Sequence, residues 1–116
     1  MRPETALQIA IMAEMRKHGV EPVHVPNGAV LAGDAKSRAI QSNHLKKMGA
    51  KWGMPDLLAI APKGRIGFIE VKCPGEKLSP TQAEVHEWLI VFGHKVAVCR
   101  SVEDVRETFE LWGFCG

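Results

Sequence analysis

An α/β fold, a mixed β-sheet flanked by helices, is what the 116-residue sequence predicts. Segments with helical hydrophobic spacing alternate with short apolar runs, in the order αβ(α)ββαβα. Glycine and proline signals fall between these segments rather than inside them. Apolar residues make up 46% and charged residues 24%, the balance of a globular protein with one core rather than a disordered or fibrous chain. No repeat, low-complexity tract or linker divides the chain, so residues 1–116 read as one domain.

Each element has its own justification. Residues 4–18 put Leu7, Ile11, Met15 and His18 on one helical face, closed by Gly19. Val20 to Val25 has strand composition and stops at the turn signal Pro26-Asn27-Gly28. Residues 29–53 are the least patterned; a helix over Ala35 to Met48 fits, broken by Gly49 and Gly53. Asp56 to Ala61 and Ile66 to Lys72 are apolar runs joined by Pro62-Lys63-Gly64-Arg65, the spacing of a hairpin. Ser79-Pro80-Thr81-Gln82 opens a helix, with Ser as N-cap, Pro in the first position and Gln82 at the capping-box position. This helix runs to about Phe92 before Gly93, with Val85, Leu89 and Phe92 directed at the sheet. Lys95 to Cys99 is the last strand, and Ser101 opens a final helix to about Trp112.

The net charge of +2 advertises no partner, but its distribution is uneven. Residues 1–34 sum to −1, residues 35–77 to +6 and residues 78–116 to −3. On charge alone, an anionic ligand and a solvated surface fit the cationic middle equally. Cys73, Cys99 and Cys115 have neither zinc-ligand spacing nor an even count, which favours reduced thiols in the cytoplasm over a metal or disulfide framework. Glu4 and Glu14 interrupt what would have to be the apolar part of a signal peptide, and no run has the ~20 apolar residues of a membrane span. No Gly-rich phosphate loop or nucleophile elbow marks a small-molecule enzyme.

Charged side chains in strands need a reason. Strand alternation puts Glu70 and Lys72 on one face and Val71 on the other. Pairing as a hairpin sets the start of one strand beside the end of the other, so Asp56, Glu70 and Lys72 cluster at one sheet edge. Two carboxylates held together repel, and a hard divalent cation resolves the repulsion. Asp56 and Glu70, with the Val71 carbonyl, are therefore candidate ligands for Mg²⁺ or Mn²⁺. A metal there would polarise a phosphate oxygen and activate water, while Lys72 would orient the water and stabilise developing charge. Taken alone, Glu70-x-Lys72 is more often an exposed pair at a strand end. Pro55-Asp56 fourteen residues upstream, with apolar strands between, reverses that balance.

Pro55-Asp56 followed by Glu70-x-Lys72 resembles the PD-(D/E)XK nuclease signature. The wider blocks are Leu45-Lys-Lys-Met-Gly49, Gly53-Met-Pro-Asp-Leu57, Phe68-Ile-Glu-Val-Lys72, Leu78-Ser-Pro-Thr-Gln82 and Gly93-His-Lys-Val-Ala-Val98. In that order they are similar to the VRR-NUC branch, the virus-type replication and repair nucleases. The resemblance covers about Glu4 to Asp104 and shows no departure in the central triad. It implies a restriction-endonuclease-like core and a metal-dependent DNA endonuclease of the stand-alone phage or bacterial type. It also implies a homodimer similar to Holliday-junction resolvases, acting on branched or junction DNA in a bacterial or phage-infected cell.

The resemblance further points to Gln82 as an active-site residue, against its local explanation as the capping-box partner of Ser79. It also implies a glutamate from the first helix. Glu4 projects onto the Leu7–Ile11–Met15 face and is the choice over Glu14, with Gln8 assisting. Lys36, Arg38, Lys46, Lys47 and Lys51 lie in a stretch without acidic residues between 35 and 51 and read as the DNA phosphate-contacting surface. Asn27 could line the same cleft, although a turn asparagine is the commoner explanation. Trp52 between glycines reads as a loop anchor rather than a base-stacking residue, and the five histidines as packing or surface. From a different class, a catalytically idle DNA-binding or assembly module on the same fold is the alternative function.

Overall fold

The turn Pro62–Gly64 organises the sheet. Lys63 and Gly64 both adopt left-handed backbone (φ 66° and 73°), which reverses the chain between β2 (Leu57–Ala61) and β3 (Arg65–Val71). The two strands pair antiparallel, Leu57 opposite Ile69 and Ala61 opposite Arg65. A further strand, β1 (Glu21–His24), pairs antiparallel with β2, and β4 (Lys95–Cys99) pairs parallel with β3. The result is a mixed four-stranded sheet in the order β1-β2-β3-β4, the α/β class expected. The structure, a computed structural model, describes residues 1–26 and 31–114. Asn27 and Gly28 of the turn signal, and Cys115, lie outside the described residues.

Among the described residues four helices complete the order: α1 (Pro3–Lys17), α2 (Ala35–Lys47), α3 (Pro80–Val91) and α4 (Val102–Trp112). Strand alternation sorts the sheet into two faces. On one, Leu57, Ala59, Ala61, Ile69, Val71 and Cys99 pack against Ile11 and Met15 of α1 and Val105 and Phe109 of α4. Gly67 lies directly beneath the Trp112 ring, where a Cβ has no room. The other face carries Phe68 and Glu70 and meets α3 through Val85, His86 and Leu89. Phe92, expected to face the sheet, is instead 65% exposed. The helix stops one residue earlier, and Phe92 at its cap lies against Trp88 with ring centroids 5.2 Å apart.

One buried carboxylate staples the two helices of the packed face. Glu14 accepts from Arg106 Nε at 3.0 Å and His18 Nε2 at 2.9 Å, with Lys17 Nζ at 3.6 Å. The Arg106 guanidinium, ahead of the opposing cost of burial, holds the Glu14 carboxyl at about 2. By contrast, α2 buries none of its residues and is defined by its Asp34 cap, whose side chain accepts from the Ser37 amide at 2.8 Å. Among the described residues, no helix is long and apolar enough to cross a membrane.

Candidate active site

The hairpin register that pairs Leu57 with Ile69 brings the residue before β2 beside the last residues of β3. Asp56 stands just ahead of β2, and its Oδ2 accepts the Val71 amide proton at 2.8 Å. Its own carbonyl accepts from the Val25 amide at 2.8 Å, fixing the backbone on both sides of the carboxylate. Glu70, one residue before Val71, points to the α3 side and is 1% exposed. Lys72 follows the end of β3, and its amide donates to the Cys99 carbonyl at 3.2 Å. Val71 itself is buried, pairs with Cys99 of β4 and gives its amide proton to Asp56.

The two carboxyl groups interact directly, and both are harder to ionise than usual. Burial, reinforced by Glu70, pushes Asp56 up to about 7, although the Val71 amide opposes the shift. Burial also raises Glu70, which its contact with Asp56 and the Lys72 ammonium oppose. Asp56 is therefore the member of the pair that keeps a proton longest. Among the described residues, no three His, Cys, Asp or Glu side chains converge as a metal cage.

His86, read from the sequence as a packing residue, belongs to this centre. Its Nε2 lies 3.0 Å from Glu70 Oε1, with the imidazole itself buried. With Glu70 ionised, its oxygen can only accept, which assigns the Nε2 proton to the histidine. Burial lowers the His86 pKa, favouring the neutral ring. A signal existed: His86 is four residues after Gln82 and beside Val85 on the sheet-facing stripe of α3, a titratable side chain at a buried position.

The first helix also reaches the centre. The Glu4 charge disfavours ionisation of Glu70, and Glu4 lines a cavity of about 320 Å³ with Arg2, Thr5, Gln8 and His24. Gln8 Nε2 and His24 Nδ1 are 3.2 Å apart, and the same Nδ1 lies 3.1 Å from the Asp56 carbonyl. Glu14 is at the far end of α1, occupied by Arg106 and His18, so Glu4 is the first-helix carboxylate that approaches Glu70.

Gln82 forms the capping box that its position after Ser79 predicts. Its Oε1 accepts the Ser79 amide at 2.9 Å while Ser79 Oγ accepts the Gln82 amide at 3.1 Å, a complete capping box. The third position of the helix aims the side chain back at its own cap rather than at the carboxylates. Lys36, Arg38, Lys46 and Lys47 lie exposed on or at the end of α2, and Lys51 follows it. Among the described residues, none of these cations forms a salt bridge or hydrogen bond with the carboxylate pair, whereas Lys51 Nζ sits 5.0 Å from the centre of the Trp88 ring.

The geometry has counterparts in known proteins. The VRR-NUC domain profile matches residues 2–103. A protein of Acyrthosiphon pisum secondary endosymbiont phage 1, named "Putative nuclease p44", is 47% identical over 49 residues, 42% of this chain. That match spans about half, 53%, of the phage protein's own length. A solved structure titled "VRR_NUC domain" superposes with a TM-score of 0.67 at 26% identity, covering 92% of this chain and 94% of its own. Another, "VRR_NUC domain protein", gives 0.68 at 21% identity, covering 100% of this chain and 92% of its own, and speaks for the fold. With the profile spanning most of its length, the chain belongs to the VRR-NUC family of nuclease domains.

Proposed function

We propose that this protein is a metal-dependent DNA endonuclease that hydrolyses phosphodiester bonds with Mg²⁺ or Mn²⁺ and selects branched or junction DNA. The observation that carries the reading is the Asp56–Glu70 pair: a part-buried and a buried carboxylate in direct contact, with Lys72 close enough to offset the charge on Glu70. A structural carboxylate acquires cations or donors that lower its pKa, whereas this pair stays costly to ionise, a cost that a bound divalent cation would remove near neutral pH. The donor set suits a hard, six-coordinate cation that keeps several waters: Asp56, Glu70 and the Val71 carbonyl, with water and phosphate oxygens completing the shell. Such a cation supplies Lewis-acid stabilisation of the phosphate and a lowered pKa for water.

The chain's own residues do the rest. The Val71 amide holds one Asp56 oxygen and leaves the other for a cation. The His86 Nε2 does the same for Glu70. Lys72 donates to the attacking water or to the phosphoryl oxygens on which charge develops. Glu4 adds a further carboxylate at the edge, and Gln82, whose cap engages its Oε1, offers its Nε2 as a donor. Exposed Lys36, Arg38, Lys46, Lys47 and Lys51 neutralise phosphates along the DNA backbone.

One chain offers a short DNA-contacting face, and cutting both strands of a junction calls for two symmetry-related centres, so the working unit is a homodimer of residues 1–116 in the cytoplasm. The decisive experiment is cleavage of duplex, flap, nicked and four-way-junction DNA with Mg²⁺ or Mn²⁺. Preferred cutting of a branched substrate, absent in Lys72→Ala, is the expected result. No cutting of any substrate and no calorimetric heat with Mn²⁺ would instead favour an idle DNA-binding module. Light scattering that finds a monomer at working concentration removes the dimer.

A further inference from the structure

The nuclease reading leaves one aromatic cavity without a task. Residues Gly49 to Met54 and the outer side of α3 enclose a space of about 410 Å³, walled by Val25, Lys51, Trp52, Met54 and Trp88. Trp52, which the sequence presents as a loop anchor, is only half-buried here, and Trp88 is 38% exposed. Lys51 Nζ stands 5.0 Å from the centre of the Trp88 ring, and Phe92 braces the same indole from the cap of α3.

The cavity is tied rigidly to the carboxylate centre. Met54 is separated from Asp56 by Pro55 alone, and Val25 donates its amide proton to the Asp56 carbonyl at 2.8 Å. Gly53 presses so closely on Thr81 that an added Cβ would lie 2.9 Å from the Thr81 carbonyl oxygen, which seats the 49–54 segment on the start of α3. A ligand in this cavity would therefore be held at a fixed offset from Asp56.

The lining specifies the ligand's chemistry. Two indoles offer π-faces, the aliphatic walls exclude charge, and a single ammonium stands over one ring. A flat, uncharged aromatic ring carried on an anionic strand satisfies all three, and the cation also suits the phosphate next to it. We infer that this cavity receives one unpaired nucleobase of the DNA strand, stacked against Trp52 and Trp88. This rests on the nuclease reading and supplies its selectivity. A base inside regular duplex cannot enter without breaking its stack, whereas a bulge, junction or single-stranded arm presents one already free.

The test compares metal-free protein bound to a fully paired duplex and to the same duplex with one unpaired 2-aminopurine. The expected result is tighter binding of the bulged DNA and a change in 2-aminopurine fluorescence on binding. Trp88→Ala and Trp52→Ala each remove about tenfold of that preference without altering affinity for the paired duplex. Trp88→Phe retains most of it, and circular dichroism verifies that each variant folds. Equal binding of bulged and paired DNA by wild type overturns the inference. So does a Trp88→Ala variant that changes only the oligomeric state, since the aromatic face is then a contact between copies. Cleavage with Mn²⁺, measured separately on wild type, keeps the two readings apart. A protein that cuts but ignores the bulge loses this cavity, and one that grips the bulge but never cuts loses the nuclease.

Discussion

Two sets of buried carboxylates in this small protein have opposite fates. Glu14, between α1 and α4, meets Arg106, His18 and Lys17, and the guanidinium holds it at about 2. Asp56 and Glu70, at the open end of the β2–β3 hairpin, meet each other, and burial carries Asp56 up to about 7. The first arrangement is complete within the chain and has nothing further to bind. The second leaves two carboxyl groups against each other, where a proton or a cation from outside relieves the repulsion. Burial alone does not distinguish the two arrangements; the sign of the pKa shift, and what causes it, does.

The largest expected effects test the incomplete pair. Asp56→Asn and Lys72→Ala should each reduce cleavage by at least about 10²–10³-fold, the scale of losing a principal electrostatic contact at a transition state. Asp56→Asn should also make the metal-free protein more stable, by roughly 1–2 kcal/mol above pH 7 after allowing for solvent screening. The amide still accepts the Val71 proton and no longer repels Glu70. A cleavage-dead variant with a higher melting temperature would be the signature of a functional carboxylate. If Asp56→Asn cuts at the wild-type rate, or melts lower with no gain at any pH, the contrast with Glu14 collapses.

A smaller effect belongs to His86, whose Nε2–H holds Glu70 Oε1. His86→Ala leaves that buried oxygen without its donor, and a calorimetric titration should show about 10–100-fold weaker Mn²⁺ binding. His86→Gln, which can still present an N–H, should recover much of the loss. Equal failure of both variants at unchanged melting temperature would mean that the imidazole does something other than orient Glu70.

How far each region was legible follows from the range of its contacts. Asp56, Glu70 and Lys72 are joined by one hairpin, and strand alternation with a short turn is a local rule, so their meeting could be read from spacing alone. The element order and the mixed sheet were readable for the same reason. The Glu14–Arg106 pair spans 92 positions, and nothing local to either residue announces it. The His86–Glu70 contact depends on how α3 settles on the sheet, and so does the exposure of Phe92. Gln82 carried two compatible readings, and the local one describes where its side chain lies, because a capping box needs only four consecutive residues. The Trp52–Trp88 cavity again joins two distant segments. Sequence patterns therefore led to the catalytic candidates but not to the residues that hold or surround them.

Removing the complete site should leave the chemistry untouched and weaken the fold, and pH gives the finest test of the contrast. The Glu14 carboxyl falls from an ordinary 4.5 to about 2 on folding, so the unfolded chain binds its proton first. Its stabilisation is whole above pH 4.5 and disappears as pH falls towards 2. Asp56 rises from 3.8 to about 7, so here the folded chain binds the proton first. Its favourable share is whole below pH 3.8 and disappears as pH climbs through about 7. Melting temperatures of metal-free protein should therefore fall at both ends of the range. Glu14→Gln should lower the plateau and flatten the acid limb alone, while cutting DNA at the wild-type rate. Asp56→Asn should flatten only the neutral limb, and Mg²⁺ should lift that same limb in the wild type. Should Glu14→Gln instead flatten the neutral limb, or Mg²⁺ leave that limb where it was, the roles assigned to the two sites would be wrong.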